Sequence, residues 1–293
     1  MSSFYFEGHQ VFYRRAGAGD TILFLPNATL TGKLWEHQLE HFRATHDVIA
    51  VDLPGFGRSD RLRPTLDLYV RWLEQFIEDL DLAPVVIVGN CIGSLTALHY
   101  ATEHRDAVRA LVLMNTLDAE VGTAPPLARG ISLLKVPRLR PLVEWSIRHM
   151  PRWQLQRHPY PNRQFGIPGE TDVREYVEHA HRCFADPETR VAWLSLGYDV
   201  WNAVLPPTSQ LEDLPPTCWV WGEANHLLPF ELGKRQLDVL KPDEVHVLKG
   251  RGYAAAWEAP DEVNRIIERF LERYQLIALP DGRHLDVSHL EFP

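Results

Sequence analysis

Cys91 is flanked two residues away on each side by Gly89 and Gly93. Val85, Val86, Ile87 and Val88 precede this turn. A run so short and so apolar suits a strand buried on both faces of a parallel sheet better than a surface helix. Beyond Gly93 the residues Leu95, Thr96, Ala97, Leu98, Tyr100 and Ala101 favour a helix. Strand, tight turn and helix would carry the Cys91 thiol at the tip of the turn, where a sulfur nucleophile can meet a carbonyl carbon. A turn this sharp brings the strand and helix backbones too close for a Cβ at either glycine. The competing reading makes Cys91 a small buried hydrophobe with no chemical role.

The elements that must position this turn belong to a chain of 293 residues, 45% hydrophobic, with a formal net charge of -9. That length and apolar content predict one α/β domain with an insertion. The acidic balance weighs against a nucleic-acid or anionic-membrane partner, both of which need a basic surface. No apolar run approaches bilayer length, and the stretch from Met1 to Glu7 lacks the basic and apolar regions of a signal peptide. A soluble, cytoplasmic protein acting on a small molecule is therefore expected. Cys91, Cys183 and Cys218 are the three cysteines and lack metal-like spacing, so neither a disulfide framework nor a metal site is expected.

In chain order, Gln10 to Arg15 and Thr21 to Leu25 read as strands joined by a Gly-rich turn, and a hairpin between them is expected. A loop from Pro26 to Gly32 leads to a helix from Lys33 to Phe42. Asp47 to Asp52 is the next strand, and the turn Leu53-Pro54-Gly55-Phe56-Gly57-Arg58-Ser59-Asp60 follows it. Leu68, Trp72, Phe76 and Leu80 form the i, i+4 stripe of a helix packed on a sheet. Ala110 to Met114, Thr217 to Trp221 and Glu244 to Leu248 complete the strands. Between Ala119 and Leu214 the composition turns Pro-rich, Arg-rich and aromatic, with helix-like stretches at Leu142 to His149 and Val173 to Phe184. Pro125, Pro126, Pro137, Pro141, Pro151, Pro159, Pro161 and Pro168 interrupt that region.

These landmarks, in this order, resemble the α/β-hydrolase family. Gly89-Asn90-Cys91-Ile92-Gly93 resembles its nucleophile elbow, with cysteine where serine usually stands. The turn after Asp52 resembles the loop that follows the family's next strand. Trp221-Gly222-Glu223-Ala224-Asn225 resembles the loop carrying the family's aspartate, and Gly250-Arg251-Gly252-Tyr253 the loop carrying its histidine. The resemblance runs from Gln10 to about Tyr274. It implies a mostly parallel central sheet flanked by helices with an inserted helical cap, the core spanning residues 1–118 and 215–293 and the cap 119–214. It also implies an oxyanion hole from the backbone N–H groups of Ala28 and Ile92, although Pro26 and Asn27 replace the family's His-Gly. Asn27, His226, Trp257, Tyr176 and Trp201 are the candidate pocket residues, with Trp145, His179, Phe184 and Trp193 as further aromatic candidates from the cap. Gln275 to Pro293 has no counterpart in the resemblance, and His284 and His289 there read as solvated.

Cys91, Asn225 and Tyr253 thus fall where the family has its nucleophile, acid and base. A cysteine or serine hydrolase needs a base that works near neutral pH and an anion to hold the base once it is protonated. A phenol titrates near pH 10 and an amide is neutral, so neither replacement fits those roles. The two replacements agree with each other, because an orienting carboxylate has no purpose without an imidazolium. A non-hydrolytic cyclase, lyase or isomerase acting on a largely apolar carbonyl compound is the first expectation, with no cofactor. A Cys91-dependent thioesterase, esterase or acyltransferase is the alternative, and non-catalytic ligand binding a further one. Two substitute groups would favour hydrolysis: His226 turned into the site, or Asp118 as an alternative acid, which otherwise reads as a helix cap. His99, two turns along the elbow helix, is too far from Cys91 to transfer a proton.

Overall fold

A computed structural model describes residues 2–122, 136–158, 161, 163–166, 173–200 and 205–274. Eight strands form one sheet: β1 (Ser2–Phe6), β2 (His9–Ala16), β3 (Thr21–Leu25), β4 (Asp47–Val51), β5 (Val85–Asn90), β6 (Val108–Met114), β7 (Thr217–Gly222) and β8 (Glu244–Leu248). Their order is β1-β2-β4-β3-β5-β6-β7-β8. All pairings from β4 to β8 are parallel, and β1 and β2 are joined antiparallel at one edge. Strands β4, β5 and β7 are buried along their whole length, as apolar strands covered on both faces must be.

The expected hairpin between β2 and β3 does not form. β4 lies between them, antiparallel to β2 and parallel to β3. The strand that does hairpin with β2 is β1, with Phe6 opposite His9. Gly17 explains part of the detour: at φ 84° it packs so closely on the end of the next helix that a Cβ would lie 2.0 Å from the His46 carbonyl.

Helices α1 (Glu36–Phe42), α2 (Leu66–Asp79) and α3 (Ile92–Glu103) cover the first half of the sheet. The expected helix at 33–42 is a 3-10 turn, Gly32–Trp35, followed by α1. α2 buries Tyr69, Trp72, Leu73, Phe76 and Ile77, a stripe at helical spacing. The Thr65 side chain caps its first turn at Leu68 N (3.1 Å).

Between β6 and β7 the chain inserts helices α4 (Arg140–Arg148), α5 (Arg152–Arg157), α6 (Arg174–Ala185) and α7 (Pro187–Val200). α4 packs on α7, α5 on α6, and α6 on α7. Asp199 of α7 accepts a hydrogen bond from Leu66 N at the start of α2 (2.6 Å), which ties the insertion to the core. α8 (Ala255–Glu258) and α9 (Pro260–Arg273) close the fold. Trp201, four of the interrupting prolines (Pro125, Pro126, Pro159, Pro168) and the 275–293 segment lie outside the described residues.

Candidate active site

Cys91 occupies a left-handed, strained backbone position, φ 58° and ψ -114°, rare for a residue with a side chain. Its neighbours hold it there. Cys91 N donates to the Met114 carbonyl (2.9 Å) and the Cys91 carbonyl accepts from Leu95 N (3.1 Å). A Cβ on Gly89 would lie 2.5 Å from Ser94 N, and one on Gly93 would lie 2.5 Å from the Leu25 carbonyl. Both glycines are therefore required by close backbone approach, as the sequence suggests. The Gly93 contact also seats the start of α3 against the end of β3, beside the Pro26–Ala28 loop.

Ala28 and Ile92, the two expected oxyanion donors, share a hydrophobic cluster with Cys91 and Tyr253. Asn27 is fully buried, with Nδ2 3.4 Å from the Ala28 carbonyl. Asp52 braces this loop: Oδ1 accepts Gly32 N (2.8 Å) and Oδ2 accepts Arg58 N (3.0 Å). Burial raises the Asp52 carboxyl above its ordinary value.

The Cys91 thiol meets the Tyr253 phenol and the Ile92 N–H, both of which favour its anion, yet burial outweighs them and pushes the thiol up to about 12. Burial thus favours the neutral thiol over the thiolate at this position. Tyr253 is 2% exposed. Its carbonyl accepts from Asn115 Nδ2 (3.1 Å).

Asn225 also turns inward, but toward an amide network. Its Oδ1 accepts Leu227 N (3.0 Å) and Leu228 N (2.9 Å), and its Nδ2 donates to Asn115 Oδ1 (3.0 Å). Asn115, at φ 44° and fully buried, also donates to Asn90 Oδ1 (2.9 Å). An aspartate at 225 would place a carboxylate against the Asn115 oxygen, whereas asparagine supplies the donor this position needs. Sequence reading missed Asn90 and Asn115. For Asn115 the signal available was an asparagine directly after the buried strand β6, a residue type that tolerates a left-handed backbone.

The insertion reaches this site from two directions. Phe184, Ala192 and Leu196 join the cluster that contains Cys91 and Tyr253, and Trp193 packs against it. Residues 163–166 press on the Tyr253 loop: Ala254 N donates to the Gln164 carbonyl (2.8 Å), and a Cβ on Gly252 would lie 2.4 Å from Gly166 N. Glu258 holds both sides together, accepting Gly252 N (2.8 Å) and Gly166 N (3.2 Å). Gln164, also missed from the sequence, is fully buried, and neither polar atom of its side-chain amide has a hydrogen-bond partner. Asn90 Nδ2, Thr29 Oγ1 and Thr116 Oγ1 are likewise buried without one.

Several expected site residues lie elsewhere. Tyr176 and Trp257 pack against each other with tilted rings (5.1 Å) in the second core cluster with Trp35, whereas Cys91 and Tyr253 belong to the first. Here α6 meets α8, with His37 (4.6 Å) and Lys33 Nζ (5.2 Å) against the Trp257 ring. His226 is exposed, because Asn225 takes the inward position of that loop. Trp145 is 61% exposed. His179 bonds Thr31 Oγ1 (2.9 Å). Asp118 caps Val121 N (2.8 Å) and accepts from Gln236 Nε2 (2.6 Å), a helix-capping contact.

The sequence profile described as the alpha/beta hydrolase fold matches residues 20–260. The chain belongs to the α/β-hydrolase fold family. Among relatives of this α/β-hydrolase is the 2-hydroxy-6-oxononadienedioate/2-hydroxy-6-oxononatrienedioate hydrolase of Escherichia coli O81 (strain ED1a), 24% identical over 284 residues, covering 90% of this chain and 91% of that protein. Solved structures with the same fold include a haloalkane dehalogenase from Agrobacterium tumefaciens C58 (TM-score 0.75, 20% identity, 93% of this chain and 96% of that one). Another is a thermophilic esterase from Thermogutta terrifontis (TM-score 0.74, 19% identity, 93% and 97%).

Away from the elbow, the α/β-hydrolase sheet brings Cys218 of β7 and Glu244 and His246 of β8 together, with ligand-type atoms within 4.8 Å of one another. Cysteine spacing could not reveal this, because strand pairing creates it. Glu244 is already paired with Arg273 (3.1 Å) and His246 (3.0 Å), and burial raises the Cys218 thiol, which opposes metal ligation. Among the described residues no helix is long and apolar enough to cross a membrane.

Proposed function

We propose that this α/β-hydrolase-fold chain is an enzyme that activates a small, largely apolar carbonyl compound by hydrogen bonding and proton placement, without a covalent intermediate on Cys91. The observation that carries this reading is the buried Cys91 thiol hydrogen-bonded to the Tyr253 phenol, where burial pushes the thiol up. A phenol next to a thiol gives the site two weak acids where hydrolysis needs a base. In this reading Tyr253 donates to the substrate carbonyl, the Ala28 and Ile92 N–H groups stabilise the enolate-like oxygen, and Cys91 and Asn225 shape and hold the site. The insertion acts as the cap over the pocket. The unpartnered buried polar atoms of Asn90 and Gln164 are consistent with a ligand that brings a polar group such as its carbonyl, since such atoms are costly to bury unpaired. The relatives' substrate names describe conjugated oxo acids, a class that can isomerise, cyclise or eliminate when its carbonyl is polarised.

The strained backbone of Cys91, φ 58°, favours one second reading, covalent acyl transfer, because such a turn exposes a nucleophile to an incoming carbonyl. A panel of 2-hydroxy-6-oxo-dienoates and activated thioesters separates the two by product mass. Products isomeric with the substrate or formed by loss of a fragment without water are expected, together with at least about a hundredfold loss for Tyr253→Phe and less than about tenfold for Cys91→Ala. An acyl adduct on Cys91 in intact-mass spectra, with Cys91→Ala inactive, would overturn the proposal in favour of acyl transfer. Saturable binding without turnover of any compound would make the protein a ligand binder.

A further inference from the structure

From Arg129 to Arg163 the chain carries eight arginine and lysine residues and a single acid, Glu144, within a protein of net charge -9. That acid is neutralised by Arg63, whose guanidinium nitrogens lie 3.2 and 2.9 Å from its two oxygens. The basic segment includes α4 and α5, whose inner faces are already used. Ile147 of α4 packs with Val191 and Leu194 of α7, and Leu155 of α5 packs against the main core cluster.

The outer faces are apolar where water should favour polar side chains. Leu142 is 62% exposed, Trp145 61%, Trp153 59% and Val136 46%. On α4, Leu142, Trp145 and His149 follow helical spacing on one exposed stripe, and the Trp145 and His149 rings stack (4.9 Å). Arg138, Arg152 and Arg157, on or beside the same two helices, are exposed, and among the described residues they form no ion pair. The groove at the side of α4 is lined by Arg63, Thr65, Arg140, Glu144, Tyr198 and Asp199. Leu142 and Trp145 project outside it. Projecting side chains suit a fluid interface, whereas a folded partner would need a recess to receive each of them.

We propose that the outer face of α4 and α5 docks on the surface of an anionic lipid bilayer, with Leu142, Trp145 and Trp153 at the headgroup level and the exposed arginines on lipid phosphates. Indole rings and arginines are the side chains that favour this boundary, the ring for its mixed polarity and the guanidinium for the phosphate charge. The acidity of the whole chain does not oppose it, because charges more than about 10 Å from the surface are screened at physiological salt.

Co-sedimentation of the full chain with vesicles tests the proposal, comparing pure phosphatidylcholine with mixtures containing a third phosphatidylserine. Binding to the anionic vesicles at low salt is expected, at least about tenfold weaker on pure phosphatidylcholine and at high salt. Trp145→Ser with Trp153→Ser, and separately Arg152→Gln with Arg157→Gln, should each weaken binding at least about tenfold with unchanged circular dichroism. Quenching of the native protein's tryptophan fluorescence by brominated lipid gives the same answer without a variant. Absence of sedimentation with either vesicle overturns the proposal, as does binding that neither double variant weakens. A concentration-dependent dimer that the tryptophan pair abolishes, without vesicle binding, assigns the face to a second copy of the chain and also overturns it.

Discussion

At residue scale the site turns on the burial of one thiol. Cys91 sits at the tip of a strained turn with two hydrogen-bond donors near its sulfur, and still burial holds the thiol up near 12. Iodoacetamide at pH 8 should therefore leave Cys91 unmodified in the folded protein and label it after unfolding in urea. Rapid labelling of native Cys91, located by peptide mass, would reverse the argument for a neutral thiol. Asn115 carries a comparable load in structure. It serves Asn90, Asn225, the Tyr253 carbonyl and Gly222 N (3.3 Å), so Asn115→Ala strands several buried polar groups at once. It also puts alanine at φ 44°. A loss of about 2–4 kcal/mol is expected, read as a lower urea midpoint. An unchanged midpoint would show that water replaces the network.

The scale of elements is governed by Arg190, a 2% exposed guanidinium inside the insertion. It donates to the carbonyls of Ile147 (2.7 Å) and Arg148 (2.8 Å) at the end of α4, and to Phe184 and Ala185 (both 2.7 Å) at the end of α6. Helix C-termini present unpaired carbonyls and partial negative charge, so one cation satisfies two of them. Burial lowers the Arg190 pKa, and the nearby Asp186 charge partly offsets this. Arg190→Met keeps the bulk but leaves these carbonyls unpaired, at a cost of about 3–5 kcal/mol. Hydrogen exchange should quicken in α4 and α6 while β5 and β6 stay protected. Uniform quickening across sheet and insertion would mean that the two unfold as one unit, and no change would remove Arg190 from its role.

Buried titrating groups set the pH limits of the whole molecule. His158 is held down to about 4 by burial and then by Arg190, and His179 to about 4 by burial and then by Lys33. Neutral in the fold, both bind protons in the unfolded chain as pH falls below about 6.5, so stability falls between about pH 6.5 and 4. Cys91 and Cys183 are raised by burial from 9.0 to about 12. Unfolded thiols ionise first, so stability falls again between about pH 9 and 12. Each group contributes up to about 1.4 kcal/mol per pH unit in its window. Urea midpoints should form a plateau from about pH 6.5 to 9 with losses on both sides. Stability that keeps rising through pH 10 would contradict the burial of the thiols.

Much of this protein can be read from its sequence because the features concerned are local. Four β-branched residues before Cys91 require a doubly covered strand, and two glycines around it allow only a close-packed turn. The order of the loops bearing Cys91, Asn225 and Tyr253 likewise follows the chain. Tertiary structure alone decided which strands pair: β4 separates β2 from β3, since hydrophobic period gives a strand's faces but not its neighbours. It also placed His226 in water and Asn225 inside, because the direction of side chains on an irregular loop depends on the partner each one finds. Tyr176 and Trp257 have aromatic character in sequence, and only packing assigns them to the second core cluster. Cys91 looks like a nucleophile in sequence, but the burial that raises its thiol comes from segments distant in the chain, because ionisation follows the surroundings of a group.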